Sequence, residues 1–213
     1  MRDGLFISFE GIDGCGKSTQ VARLAKCLKG QGHEVVCTRE PGGTRISEKI
    51  RMILLNPANT ELAPITELLL LEASRAQLVQ EVILPALERG AIVLSDRYAD
   101  STSAYQEAGR ALQHAEVVQA NKLGTCGVEP DITFLMDMNP HEALARAMEH
   151  GADRIEAAGI AFQERVRQGY LTLVKEYPNR IQVIDASRSL EEVSISIDQV
   201  LAKELDRREV HHD

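Results

Sequence analysis

The chain has 213 residues, 24 of them Lys or Arg and 32 Asp or Glu, for a net charge of -8. That length fits one domain with a substantial core, and the acidic balance argues against a protein that wraps nucleic acid or lies on anionic lipid. With 44% hydrophobic residues, 4% aromatics and no Trp, the chain is globular with an aliphatic core.

Short β-branched or apolar runs alternate with helical patterns. Leu5–Phe9 reads as a strand, 11–18 as a glycine-rich turn, and a helix follows to about Gly30. Glu34–Thr38 is a second strand, EPGGT a turn, and a helix runs through Glu48–Leu54. Asn56–Pro64 carries two prolines and reads as a loop. Ile65–Arg89 is mostly helical with a break or kink at Pro85. Ala91–Ser95 and Ile132–Met136 are buried-type strands, with a long helix Ala104–Gly124 between them. Pro140–His150 starts a helix with Pro in its first turn. The polar stretch 151–159 reads as a mobile loop, Ile160–Tyr177 as helix, Ile181–Ile184 as strand and Ser189–Arg207 as a final helix. Alternating strands and helices predict an α/β fold, a parallel sheet covered on both faces, with ligands at the carboxyl ends of the strands.

The sequence Gly11-Ile12-Asp13-Gly14-Cys15-Gly16-Lys17-Ser18 matches G-x-x-x-x-G-K-[ST] between a strand and a helix. The glycines let backbone N–H groups converge on phosphate oxygens, and the helix N-terminus adds partial positive charge. Lys17 reaches the β- and γ-phosphates, and the Ser18 hydroxyl ligates Mg²⁺. Asp96, ending an apolar strand, supplies the second metal-side oxygen.

Among phosphate-loop proteins, a GTPase needs N-K-x-D, and the nearest string, 121–124, lacks the Asp. A motor needs a partner-binding region for which this length leaves little room. A kinase of a small molecule needs a second cationic site. Arg39, Arg51, Arg75 and Arg97 fall in or near the ligand-facing loops, within a basic set of 17 Arg and 7 Lys. Arg suits bidentate phosphate contacts. The four Cys lack paired spacing, the N-terminal apolar run is too short for a signal peptide, and no run approaches the ~20 residues of a membrane span, so a reducing cytoplasm is expected.

EGIDGCGKST (from Glu10), TREPGGT (from Thr38), the Arg of EKIRMIL, SRAQL (from Ser74), DRYADSTSAYQ (from Asp96), PDITFLMD (from Pro130), DRIE (from Asp153) and FQERVRQGY (from Phe162) together resemble bacterial thymidylate kinase over roughly residues 4 to 203. The resemblance implies a single P-loop NTPase domain over 1–213, three-layered α/β/α with a five-stranded parallel sheet. It implies a short lid at about 146–159; the acidic C-terminal helix and tail carry half of the net charge. It implies transfer of a phosphoryl group from ATP, with Mg²⁺, to dTMP by a cytoplasmic homodimer. It assigns Gly11 to Thr19 to the ATP phosphates and Asp13 to the 3′-hydroxyl of the acceptor. Arg51 and Arg97 grip the acceptor phosphate, and Arg39 supports them. Glu40 and Pro41 face the nucleoside. Arg75 and Thr102 bond the thymine edge, Gln106 meets its face, and Tyr105 crowds the 2′ position. Arg154 and Glu156 sit in the lid. Lys17, Arg97, Arg154 and Asp13 are the expected catalytic set. No general base is expected, because a phosphate monoester is already an anionic nucleophile near neutrality. His114, His141, His150, His211 and His212 are accordingly expected to be solvent-exposed.

The chain departs from the family pattern at two places. Leu71 stands where a Phe usually stacks on thymine, so weaker dTMP binding is expected. Gly14 stands where one subtype carries a catalytic Arg in the loop, and only Arg146 survives of the lid arginines before DRIE. Arg154 is then the leading cation for the transition state and Arg146, on the ATP side, the second. Competing readings are a related deoxynucleotide or deoxynucleoside kinase with altered base preference, and a nucleotide-binding regulatory protein without catalysis.

Overall fold

The computed structural model describes residues 4–147, 154–155 and 158–210, without the side chains of 147 and 206–210. Five parallel strands form one sheet: β1 (Leu5–Glu10), β2 (Val35–Arg39), β3 (Ile92–Asp96), β4 (Ile132–Asp137) and β5 (Ile181–Asp185), in the order β2-β3-β1-β4-β5. This is the predicted fold class. The register sets Phe9 and Arg39 beside Asp96, so the chain leaves β1, β2 and β3 at one common edge.

The two-residue period of β1 divides the core. Leu5, Ile7 and Phe9 pack on one face with Leu24, Leu28, Val166 and Ile197. Phe6 packs on the other with Leu78, Ile83, Leu87 and Tyr98. Ser8 and Glu10 share the face of Phe6 and are fully buried. Ser8 Oγ pairs with Thr133 Oγ1 at 2.7 Å, and Arg180 donates to Thr133 Oγ1 at 2.8 Å and to Asp100 at 2.6 and 2.8 Å. This polar seam satisfies groups that would otherwise be stranded.

The helices are α1 (Lys17–Gly30), α2 (Arg45–Leu55), α3 (Pro64–Leu78), α4 (Leu84–Glu88), α5 (Ala99–Thr102), α6 (His114–Gly124), α7 (Pro140–Ala147), α8 (Ile160–Glu176) and α9 (Leu190–Val210). Thr44 caps α2 by accepting from the Ser47 N–H at 3.1 Å. Ser189 and Glu192 exchange backbone–side-chain bonds at the start of α9 in a capping box.

The predicted kink at Pro85 is a π-helical turn, Val79–Ile83, joining α3 to α4. Proline offers no N–H and its ring crowds the carbonyl of residue 81, so the wider turn absorbs the mismatch. The predicted single helix Ala104–Gly124 is not continuous. Ser103–Gly109 winds as a second π-helical segment, and Ala111 has φ 59° before α6 begins. The reason is tertiary: at Gly109 the ring of Phe162 lies where a Cβ would stand, 2.7 Å away, so α8 presses directly on this backbone.

Candidate active site

A cavity of about 650 Å³ opens where β1, β2 and β3 end. Its floor is the glycine-rich loop, with Asp13, Gly14, Gly16, Lys17, Ser18 and Thr19 lining it, while Gly11, Ile12 and Cys15 lie behind. Gly11 must be glycine, since its φ is 134° and a Cβ would fall 2.6 Å from the Met136 carbonyl oxygen. Gly16, at φ 91°, caps α1 and leaves that helix's N-terminus facing the cavity. Lys17 arches over the loop, its Nζ donating to Ile12 O at 2.8 Å. Cys15 is buried, and burial pushes its thiol up, away from reactivity. The Ser18 hydroxyl donates to Asp96 Oδ2 in a very close contact.

Asp13 and Arg97 meet across this floor. Arg97 Nη2 donates to Asp13 Oδ1 at 2.5 Å and to the Tyr105 hydroxyl at 3.0 Å, and that hydroxyl donates to Asp13 Oδ2 at 3.1 Å. Burial alone would raise the Asp13 carboxyl, but the charges of Arg97 and Lys17 and the bonds from Arg97 and Tyr105 outweigh it and hold it at about 2. Arg97 has φ 72°, a left-handed conformation that costs a non-glycine residue on the order of 1–3 kcal/mol. The backbone is pinned there by Arg97 N–H to Phe9 O at 2.9 Å and Ser95 Oγ to Arg97 O at 2.7 Å.

The opposite wall is built on Arg75, which is 2% exposed. Its Nε donates to Glu40 (2.7 Å), Nη1 to Glu72 (2.6 Å) and Asn121 (2.8 Å), and Nη2 to Tyr98 O (3.2 Å) and Thr102 Oγ1 (2.9 Å). An arginine has five N–H donors, and all are engaged. Burial drives Glu40 up to about 8 despite Arg75, with Glu72 adding repulsion. Leu71 and Leu55 give this wall its apolar patch, and Gln106, Glu40 and Pro41 complete it. Gln106 Nε2 donates to Glu67 Oε1 at 2.8 Å. Arg51 lines the cavity with Nη1 on Pro41 O at 2.8 Å, and Arg39 lines it while its Nη2 meets Glu48 at 3.0 Å.

Arg146 and Ile155 line the remaining side. Arg154 does not line the cavity. Its Nε donates to Leu54 O at 2.7 Å and its Nη2 makes a very close contact with Glu67 Oε2, docking this segment on α2 and α3. Arg154, expected to face the transferring phosphate, is thus committed to a buried carboxylate, while Arg146 is the arginine of this segment that lines the cavity. Glu156 lies outside the described residues. Arg165 and Arg167 do not line the cavity either; Arg167 pairs with Asp137 at 2.7 Å. His114 and His141 are exposed, and His150, His211 and His212 lie outside the described residues.

Sequence reasoning missed Glu10, Ser101, Tyr170, Glu67, Glu72 and Asn121. One signal was available for Glu10: a charged residue ending a largely apolar strand immediately before the phosphate loop.

The family model described as "Thymidylate kinase" matches residues 9–197. The chain is 48% identical over 202 residues to the thymidylate kinase of Thermoanaerobacter sp. (strain X514), covering 95% of this chain and 99% of that one. It is 50% identical over 198 residues to that of Bifidobacterium longum (strain DJO10A), covering 92% and 96%. The crystal structure of thymidylate kinase from Ehrlichia chaffeensis superposes with a TM-score of 0.78 at 34% identity, covering 93% of this chain and 98% of that chain.

The elevated Glu40 yields a linkage prediction. A carboxyl raised in the folded state contributes stability that is fully present below its unfolded value of 4.5 and is lost as pH rises through about 8. Thermal unfolding midpoints measured from pH 5 to 8.5 should fall with rising pH, and Glu40→Gln should flatten that slope.

Proposed function

The chain belongs to the thymidylate kinase family, and from that premise we propose how its side chains carry phosphoryl transfer from ATP to dTMP on the way to dTTP. The observation that supports this reading best is that one cavity joins the phosphate loop to Arg97, Arg51 and Arg146, with an apolar base-sized wall opposite.

Lys17 and the loop N–H groups hold the donor phosphates, with the N-terminus of α1 behind them. Arg97 and Arg51 hold the acceptor phosphate, and Arg39 supports them once it exchanges Glu48 for phosphate. Asp13, ionised throughout the neutral range, accepts the acceptor's 3′-hydroxyl. Tyr105, whose ring lies 4.9 Å under the Arg97 guanidinium, closes the space beside the sugar. The base lies between Leu71 and Gln106, against Arg75, Thr102, Glu40 and Pro41. Glu156, by resemblance, adds to the acceptor side. Because the acceptor is already anionic, these residues position and neutralise charge and remove no proton.

Ser18 and Asp96 suit Mg²⁺: they are hard oxygen donors already in contact, and this ion is held by few protein ligands together with substrate phosphates. Bound there, Mg²⁺ supplies Lewis-acid neutralisation of phosphate oxygens. Arg146 adds a cation from α7.

We further propose a homodimer through α2, α3 and α6. These neighbouring helices leave Met52, Leu69 and Leu123 at 73%, 59% and 77% exposure, beside Ile53, Ile65 and Val118. We also propose a cytoplasmic enzyme: the described cysteines are unpaired, and no described helix is long and apolar enough to cross a membrane.

ADP release with ATP and Mg²⁺ across dTMP, dUMP, UMP, dCMP, dGMP and thymidine tests the reaction; selective turnover of dTMP is expected, and turnover of thymidine alone or of nothing rejects it. Arg146→Ala should lower kcat by roughly a hundredfold, whereas Arg154→Ala should lower it less than tenfold and act mainly on the dTMP KM; the reverse order in steady-state kinetics returns the transition-state role to Arg154. Leu71→Phe should lower the dTMP KM by about fivefold, a fraction of a full base-stacking contribution. Light scattering should report a dimer for the native chain and a monomer for Leu69→Glu with Leu123→Glu.

A further inference from the structure

We propose that Glu10 is a positioning residue for the acceptor, setting the Arg97 guanidinium through the hydroxyls of Ser101 and Tyr170. The proposal rests on the reading that Arg97 grips the acceptor phosphate.

Glu10 is 0% exposed and does not line the active-site cavity, so it acts on the acceptor only through other side chains. Its two oxygens do separate work. Oε1 accepts the Tyr98 N–H at 2.7 Å, which fixes the peptide just after Arg97, the residue held at φ 72°. Oε2 accepts from Ser101 Oγ at 2.5 Å and from the Tyr170 hydroxyl at 2.9 Å. An ionised carboxylate only accepts, and each hydroxyl has one proton. The two hydroxyls also lie 2.8 Å apart, but an ionised carboxylate is the stronger acceptor, so both protons turn to Glu10 and the lone pairs turn outward. Those lone pairs receive Arg97 Nη1, 3.3 Å from Ser101 Oγ and 3.3 Å from the Tyr170 hydroxyl, while the same nitrogen donates to Gly11 O at 2.8 Å. The guanidinium is thus fixed on one edge by Asp13 and Tyr105 and on the other by hydroxyls whose polarity Glu10 dictates.

The other charged groups near Glu10 are Arg97, Asp100 with its partner Arg180, and Glu40. Burial and Asp100 push Glu10 up to about 7 against Ser101, Arg97 and Tyr170, so the test belongs at pH 8, where the acid is mostly ionised.

At that pH, Glu10→Gln puts an amide, which can donate as well as accept, in place of the carboxylate. Initial rates should show the KM for dTMP raised about tenfold, the scale of a lost charge-assisted hydrogen bond, with the KM for ATP within twofold. Tyr170→Phe should raise the dTMP KM a few-fold, and the double variant should cost less than the product of the two, since both break one path. Glu10→Asp should keep the ATP KM and restore part of the dTMP KM. An unchanged dTMP KM in Glu10→Gln, an equal rise in both KM values, or multiplicative effects in the double variant would overturn the proposal. If Glu10→Gln does not fold, Ser101→Ala combined with Tyr170→Phe carries the same test with the same criteria. Arg97→Ala separates the two levels: a large rise in dTMP KM there, with none in Glu10→Gln, rejects Glu10 alone, whereas an unchanged KM in Arg97→Ala rejects the reading of Arg97 and the proposal with it.

Discussion

The site depends on placing a cation, Arg97, in a partly buried position against the phosphate loop. A buried guanidinium is costly unless paired and hydrogen-bonded. Asp13 supplies the pairing, and in return the cation keeps Asp13 ionised far below neutral pH. The left-handed backbone at Arg97 is what aims the side chain back under β1, and the strand ends Phe9 and Ser95 hold it. Tyr105, Tyr170, Ser101 and Glu10 then follow as the oxygens that satisfy the remaining N–H groups or each other. Moving any one of them changes where the guanidinium points.

Arg75 solves the same problem differently. Its guanidinium sits between the side chains of Glu40 and Glu72, and its five donors are all spent on protein oxygens. It is a fixed brace joining the loop after β2 to α3, α5 and α6. Arg97 has a single carboxylate and otherwise neutral oxygens, so phosphate can compete for it. The acidic net charge of the chain is compatible with this, because the excess acid lies elsewhere: residues after 190 carry half of the net -8. The arginines near the loop ends are local exceptions in an acidic shell, and locality is what a phosphate site requires.

Legibility followed the range of the interactions. The phosphate loop and the five strands were readable because glycine spacing and apolar runs are local signals. Pro85 announced a break through its own missing N–H, although the form of the break, a π-helical turn, was not readable. The interruption between Tyr105 and α6 was invisible, because its cause is Phe162 in α8 pressing on Gly109. Glu10 and Tyr170 are 160 residues apart, and nothing in a linear pattern joins them. The resemblance to a lid says nothing of the partner of Arg154, because Glu67 is 87 residues away. Residue types at the cavity were legible; which oxygen each arginine had chosen was not.

Glu67 shows what those choices determine. This carboxylate is 1% exposed and receives Arg110, Arg154 and Gln106 together. Burial opposes its charge, yet the bonds from these partners hold it below the usual carboxylate range. Since it can only accept, the Gln106 amide must turn its NH₂ toward Glu67 and its Oε1 away. That oxygen is buried without a partner among the described residues. The Gln106 amide thereby turns its acceptor away from Glu67, and the segment carrying Arg154 is tied to the same carboxylate. The position of that segment and the orientation of the Gln106 amide share one buried charge, which Arg110 also holds through its Nε and Nη2.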